Sequence, residues 1–238
     1  RAGRHGLPDP ARAQQGMKRR HATLALAAAG LASTARAQGG PVEGRHYAPL
    51  PNALPATPGK IEVLEFFLYT CPHCYAFDPT LEAWVHKLPA DVSFRRVPVG
   101  VQAMQRLHQR MFYALDAIGA LTPAVHSGIF NAIHRDGVEI TDEAAAVALV
   151  GRLGADTARF KQALNADGVR NKIAQDQKLL ETSGISSVPM LVIAGRWRTG
   201  PGMGGTPAQD EAAGARQVLS TADFLIKQAR QAAGGKTS

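Results

Sequence analysis

Cysteine is scarce in this chain, with two residues among 238. A chain of this length builds its own core, so neither residue is needed as a staple. A bridge closing four residues would also stabilise by only about 2 kcal/mol in the loop-entropy model. Metal-ligand patterns are missing as well. The eight histidines show no His-x-x-x-His or Glu-anchored pair. Two cysteines supply half of a tetrahedral zinc shell. Gly202–Gly205 lacks a following P-loop lysine and reads as a plain turn. There is no internal repeat, and no apolar run approaches the ~20 residues that cross a bilayer.

A spread of positive charge is also absent. The formal net charge is +8, yet residues 1–37 hold seven Lys/Arg and one acid, which is +6 of it. The rest carries 20 basic and 18 acidic residues. A nucleic-acid partner is therefore not expected. The basic stretch has the order of an export signal. Met17 precedes Lys18-Arg19-Arg20, Thr23–Ala32 is a short apolar segment, and Ala35-Arg36-Ala37 is an A-x-A cleavage site. Residues 17–37 are expected to be a cleaved signal peptide and residues 1–16 an upstream extension foreign to the fold. The mature chain would begin near Gln38, outside the cytosol.

What is present is concentrated at Cys71-Pro72-His73-Cys74, which follows the apolar run Ile61–Tyr69. A strand feeding a Cys-x-x-Cys that opens a helix is the layout of a thiol–disulfide exchange site. Unpaired N–H groups and the positive end of the helix dipole favour a thiolate there. Cys71 is expected to be the exposed nucleophile and Cys74 the inner partner. Pro72 occupies the favoured first helical position. His73 either stabilises the Cys71 thiolate or is an unpartnered surface residue. The redox reading outranks a structural bridge or a metal site.

Three further groups are candidates. By strand alternation Glu65 shares a face with Val63 and Phe67, which predicts a buried carboxylate with a raised pKa. Asp78 lies on the helix face of Cys71. Arg95 or Arg96 on the next strand either pairs with these acids or forms a solvated surface pair. Val188-Pro189 opens a second apolar strand, and its residues alone leave the peptide bond either cis or trans. His108, His126 and His134 are expected on separate helices as surface residues.

The elements predicted are a Pro/Gly-rich arm with an edge strand near His46–Leu50, strands over Ile61–Tyr69 and Val92–Val99, and an intervening helix kinked at Pro79. A block of helices follows, one beginning at Thr141. A strand over Val188–Ile193, a return strand at Trp197–Thr199 and a helix over Ala222–Ala232 complete the chain. The boundaries expected are 38–100 and 183–238 for two parts of one α/β unit, and 101–182 for an all-helical insertion.

Val63-Leu64-Glu65-Phe66-Phe67, Cys71-Pro72-His73-Cys74-Tyr75, Phe77 and Val188-Pro189 together make the chain resemble the DsbA family of periplasmic thiol:disulfide oxidoreductases. The resemblance covers roughly residues 45–232. It implies an α/β thioredoxin fold with an inserted helical domain, a cis Pro189 facing the dithiol, and Glu65 aiding proton movement. It implies a periplasmic monomer that oxidises cysteines of exported polypeptides through a mixed disulfide at Cys71. It also implies reoxidation by a DsbB-type quinone-linked membrane partner, with no cofactor beyond the Cys71–Cys74 disulfide. An isomerase or reductase of the same fold is the alternative, although residues 38–59 are too short for a dimerisation domain. A binding or chaperone module with an inert bridge is another. The sequence departs from the family pattern at Asp78, where Glu is usual, and in the Gly/Ala-rich segment Thr199–Gly214.

Overall fold

Seven consecutive residues, Ile61–Phe67, form the central strand β2, and all but the first two are buried. Alternation sends Val63 to one face and Leu64 and Phe66 to the other, and both faces are covered. The computed structural model describes Gly3 and residues 40–55, 57–203 and 210–234. The expected leader at 17–37 lies outside the described residues, as does the expected extension at 1–16 apart from Gly3.

The sheet has five strands in the order β1-β5-β4-β2-β3, with β1 at Ala48–Pro49, β3 at Val92–Pro98, β4 at Met190–Ile193 and β5 at Trp197–Thr199. Only β2 and β3 are parallel, joined by helix α1 (Pro72–Val85); the other pairings are antiparallel. Gly195, at φ 63°, makes the turn between β4 and β5, and a Cβ there would meet the Leu54 carbonyl oxygen at 2.7 Å. The β2–β3 register sets Glu65 opposite Arg96. That pairing places an acid and a base side by side before any helix is considered.

Five helices lie between β3 and β4: α2 (Ala103–Ala117), α3 (Pro123–His134), α4 (Glu143–Arg152), α5 (Thr157–Leu164) and α6 (Asp167–Ser183). Their apolar faces form a core with Phe67, Tyr69 and Cys74 at the end of β2 and the start of α1. Each fully buried Leu, Ile or Phe in it contributes about 1.5–3 kcal/mol. This is a thioredoxin fold interrupted by a helical insertion. Thr122 caps α3 through its Oγ1, with Pro123 following in the favoured first helical position. Helix α4 is capped by Asp142 rather than begun by Thr141. The Asp142 carboxylate accepts the Ala145 N–H at 2.8 Å, which a residue one place earlier cannot reach.

Helix α1 runs through Pro79 from Pro72 to Val85. The last helix, α7 (Glu211–Gly234), begins eleven residues before its expected start. Its first turns are rich in alanine, a strong helix former, and Ala215, Val218, Leu219 and Ala222 recur at helical spacing against the sheet.

Candidate active site

Cys71 is the N-cap of α1, in an extended conformation (φ −84°, ψ 118°), and Pro72 takes the first helical position. This geometry leaves the first N–H groups of the helix pointing toward the Cys71 sulfur. Both cysteines are thiols, Cys71 partly exposed and Cys74 buried. The Cys74 thiol donates to the Cys71 sulfur, and the backbone N–H groups of Cys74 and His73 and the His73 charge add to it. Against partial burial, these lower the Cys71 pKa from 9.0 to about 6. Cys74 is driven far the other way, because its proton is held by Cys71, its site is dry, and the charge of the Cys71 thiolate opposes a second anion. One sulfur is therefore ionised near neutral pH and its partner is not.

The second loop completes the exposed side. The Val188-Pro189 peptide bond is cis, and Cys71 Sγ lies 3.7 Å from the Val188 carbonyl oxygen. Gly200 packs against this loop so closely that a Cβ would sit 2.8 Å from the Pro189 carbonyl oxygen. A groove of about 350 Å³ runs beside it, lined by His73, Ser187, Val188, Pro189, Met190 and Met203 among others. His73 is exposed, and its Nδ1 lies 3.1 Å from Glu211 Oε1 at the start of α7. As a carboxylate only accepts, the hydrogen is on Nδ1.

Beneath the sulfurs lies a charged cluster. Glu65 is 2% exposed. Burial raises its pKa from the ordinary 4.5 to about 7; Arg96 opposes this, while Asp78 and Glu82 reinforce it. Arg96 Nε lies 3.0 Å from Glu65 Oε2 but does not aim its N–H at it, so the contact is an ion pair rather than a full hydrogen bond. Arg96 Nη2 reaches Asp78 Oδ1 at 3.1 Å and Glu82 Oε2 at 2.9 Å. Asp78 and Arg96 are thus a buried pair, not a solvated surface pair. Burial works against ionising Asp78, but His126, Arg96 and Ser127 together outweigh it and hold its pKa below the usual range. Arg95 points elsewhere, to Asp176 at 3.0 Å and toward Glu62 at 3.9 Å.

The histidines correct the sequence expectation most. His108 and His126 are buried, not surface residues, and His126 and His134 share α3. His126, Phe130 and His134 recur every four residues and so form one inward stripe of that helix. Tyr69 Oη lies 2.8 Å from His126 Nδ1, and His134 Nε2 donates to the Tyr69 carbonyl at 2.8 Å. His134 also stacks on Tyr75, centroids 4.8 Å apart. The helical stripe was readable in the sequence; the contact with Tyr69 was not. No group of three or more His, Cys, Asp or Glu side chains is arranged to hold a metal ion among the described residues.

A DSBA-like thioredoxin domain matches residues 62–215. The chain is 42% identical to the thiol:disulfide interchange protein DsbA of Azotobacter vinelandii, over 79% of this chain and 85% of the relative. It is 38% identical to the protein of that name from Burkholderia cepacia, over 89% and 97%. The crystal structure of Pseudomonas aeruginosa DsbA superposes with a TM-score of 0.74 at 33% identity, covering 82% of this chain and 97% of that one. With a Cys-x-x-Cys opening the first helix and relatives matched along most of their length, the chain belongs to the DSBA-like thioredoxin family and is a thiol:disulfide oxidoreductase.

Proposed function

We propose that this oxidoreductase works as a disulfide donor. A cysteine thiolate of a reduced, exported polypeptide attacks Cys71 Sγ of the Cys71–Cys74 disulfide. The enzyme's S–S bond breaks, a mixed disulfide forms at Cys71, and Cys74 leaves, taking a proton from Glu65. A second substrate cysteine then resolves the mixed disulfide and leaves the enzyme dithiol. The observation that carries this reading is the opposed titration of the two sulfurs, Cys71 lowered to about 6 and Cys74 raised. A stabilised Cys71 thiolate favours the reduced enzyme, and a favoured reduced form makes the disulfide a strong oxidant.

The supporting roles follow from position. Pro72 starts the helix whose N–H groups hold the thiolate, and His73 adds charge beside it. Val188 and Pro189 offer backbone to the substrate chain next to Cys71, and the apolar groove takes the neighbouring residues. In this reading the protein is a periplasmic monomer, with residues 17–37 as its export signal. Residues 38–100 and 183–238 are the thioredoxin parts and residues 101–182 the helical insertion. A DsbB-type quinone-linked membrane oxidase restores the disulfide, and no separate cofactor is used.

The test is the reduction potential of the pair in the full chain, equilibrated against glutathione with thiol trapping and mass spectrometry. A value near −120 mV, the known DsbA potential, is expected. A value near −270 mV or below would belong to a reductant or an inert bridge and would overturn the donor reading.

A further inference from the structure

Beneath the dithiol, three carboxylates share the Arg96 guanidinium. Glu82 is partly exposed, so water screens it. Glu65 and Asp78 are both buried. One shared cation does not compensate two buried anions, so the pair keeps a proton near neutral pH. The donors around the two acids decide where that proton resides, and they are unequal. Glu65 has the oblique approach of Arg96. Asp78 accepts hydrogen bonds from Arg96 and from the Ser127 hydroxyl, both at 3.1 Å, and has His126 Nε2 3.3 Å away as a close polar contact that is not fully aimed. A carboxylate only accepts, so the His126 hydrogen that serves Asp78 is on Nε2, and Nδ1 then accepts from the Tyr69 hydroxyl at 2.8 Å.

We propose that His126 assigns the shared proton: its Nε2–H favours the ionised form of Asp78 and so leaves the proton on Glu65, beside Cys74. His126 touches neither sulfur and is a positioning residue. The groups that face Glu65 are Arg96 from β3, Asp78, Glu82 and Cys74 from α1, and Tyr69 from the end of its own strand, while β4 sets the apolar Leu191 opposite. Those facing His126 are Asp78 and Glu82 from α1, Arg96 from β3 and Tyr69. A cavity of about 270 Å³ beside His126 is lined by Arg95, Arg96, Asp116 and Lys172 among others. The directions agree with the geometry, Glu65 being raised and Asp78 lowered.

The inference rests on the proposed role of Glu65 as proton donor to the leaving Cys74 sulfur. Its test does not need that role. Carboxyl ¹³C titrations of the oxidised full chain, assigned with E65Q and D78N, give the two midpoints directly. In the wild type, the Glu65 midpoint is expected near 7. In H126L the Glu65 midpoint falls by about 1 unit or more and that of Asp78 rises, while H126Q, which keeps an N–H donor, retains the wild-type order. Such a fall leaves about fivefold fewer protonated Glu65 at pH 7, so disulfide transfer by H126L slows by about that factor there and recovers toward pH 5. If H126L does not fold, H126N, whose shorter amide falls short of Asp78, takes its place with the same expectation. Unchanged Glu65 and Asp78 midpoints in the folded variant overturn the proposal. Midpoints that move as expected support it even if E65Q transfers disulfides at the wild-type rate, a result that would sink only the donor role of Glu65.

Discussion

The two halves of this site solve opposite problems. On the outer half, Cys71 is partly exposed, lies over a helix N-terminus and faces the Val188 carbonyl. Its charge is stabilised first by the Cys74 thiol and then by N–H groups that the backbone supplies anyway. On the inner half, Cys74, Glu65, Asp78 and His126 are buried, and their protons are governed by one another. Reactivity is thus made within one helical turn, by the Cys74 thiol and the helix end, whereas control of the leaving sulfur needs side chains gathered from β2, β3, α1 and α3. Backbone-made features survive most substitutions; gathered ones hang on individual residues.

The division is broken most severely at the sulfurs themselves. C71S abolishes disulfide transfer, and C74S, given a disulfide-bonded substrate, traps the mixed disulfide formed when its Cys71 thiolate attacks that bond and releases one substrate thiol, seen as a substrate-sized mass increase that thiols release. A trapped adduct in C71S instead would reverse the assignment of the two sulfurs. Next in size is R96M, which strips the guanidinium from two buried acids. It costs about 3–5 kcal/mol in urea unfolding at pH 7, and less at pH 4, where the acids take up protons. A uniform loss at both pH values would mean that packing, not charge, is the role of Arg96.

Glu65 gives the third prediction, and its sign is opposite to that of an ordinary paired acid. Its folded pKa, about 7, lies above the ordinary 4.5, so the folded state binds the proton more tightly. The stability it contributes is complete below pH 4.5 and is lost as pH rises through 7. E65Q, which stays neutral, therefore gains on the wild type between pH 5 and pH 8, by on the order of 2–3 kcal/mol in unfolding experiments on the oxidised protein. A flat difference across that range would show that Glu65 is not held neutral by burial. The smallest effect belongs to the outer half. Thiolate absorbance should place the Cys71 midpoint near 6 in the wild type. It rises by about 1 unit in C74A, which loses the strongest donor, and by less in H73A.

The same contrast explains what could be read from the sequence. The outer half was legible because the Cys-x-x-Cys, Pro72 and the preceding apolar strand are contiguous, and contiguous residues share one local geometry. Glu65 was legible through strand alternation, since a charged residue between Val63 and Phe67 has to face the core. The choice of Arg96 over Arg95 depends on the register of a strand 31 residues away in sequence, which the period-2 pattern does not fix. His126 was misplaced because a histidine on a helix reads as polar until the face it shares with Ile129 and Phe130 is seen to be the buried one. The early start of α7 was missed because Gly214 and the glycines before it resemble a loop, while the alanines after it decide the outcome.

The β2–α1–β3 segment spans residues 61–98 without interruption and carries both cysteines, both buried acids and Arg96. As the chain emerges N-terminus first, these groups meet through short-range contacts, which form early. Tyr69 gains His126 only when the third helix docks, and Cys71 gains Val188, 117 residues further along the chain, later still. A nascent chain therefore holds a working pair of thiols before it holds the parts that direct them. For a protein that exchanges disulfides, the order of assembly sets a window in which its own dithiol is unguarded.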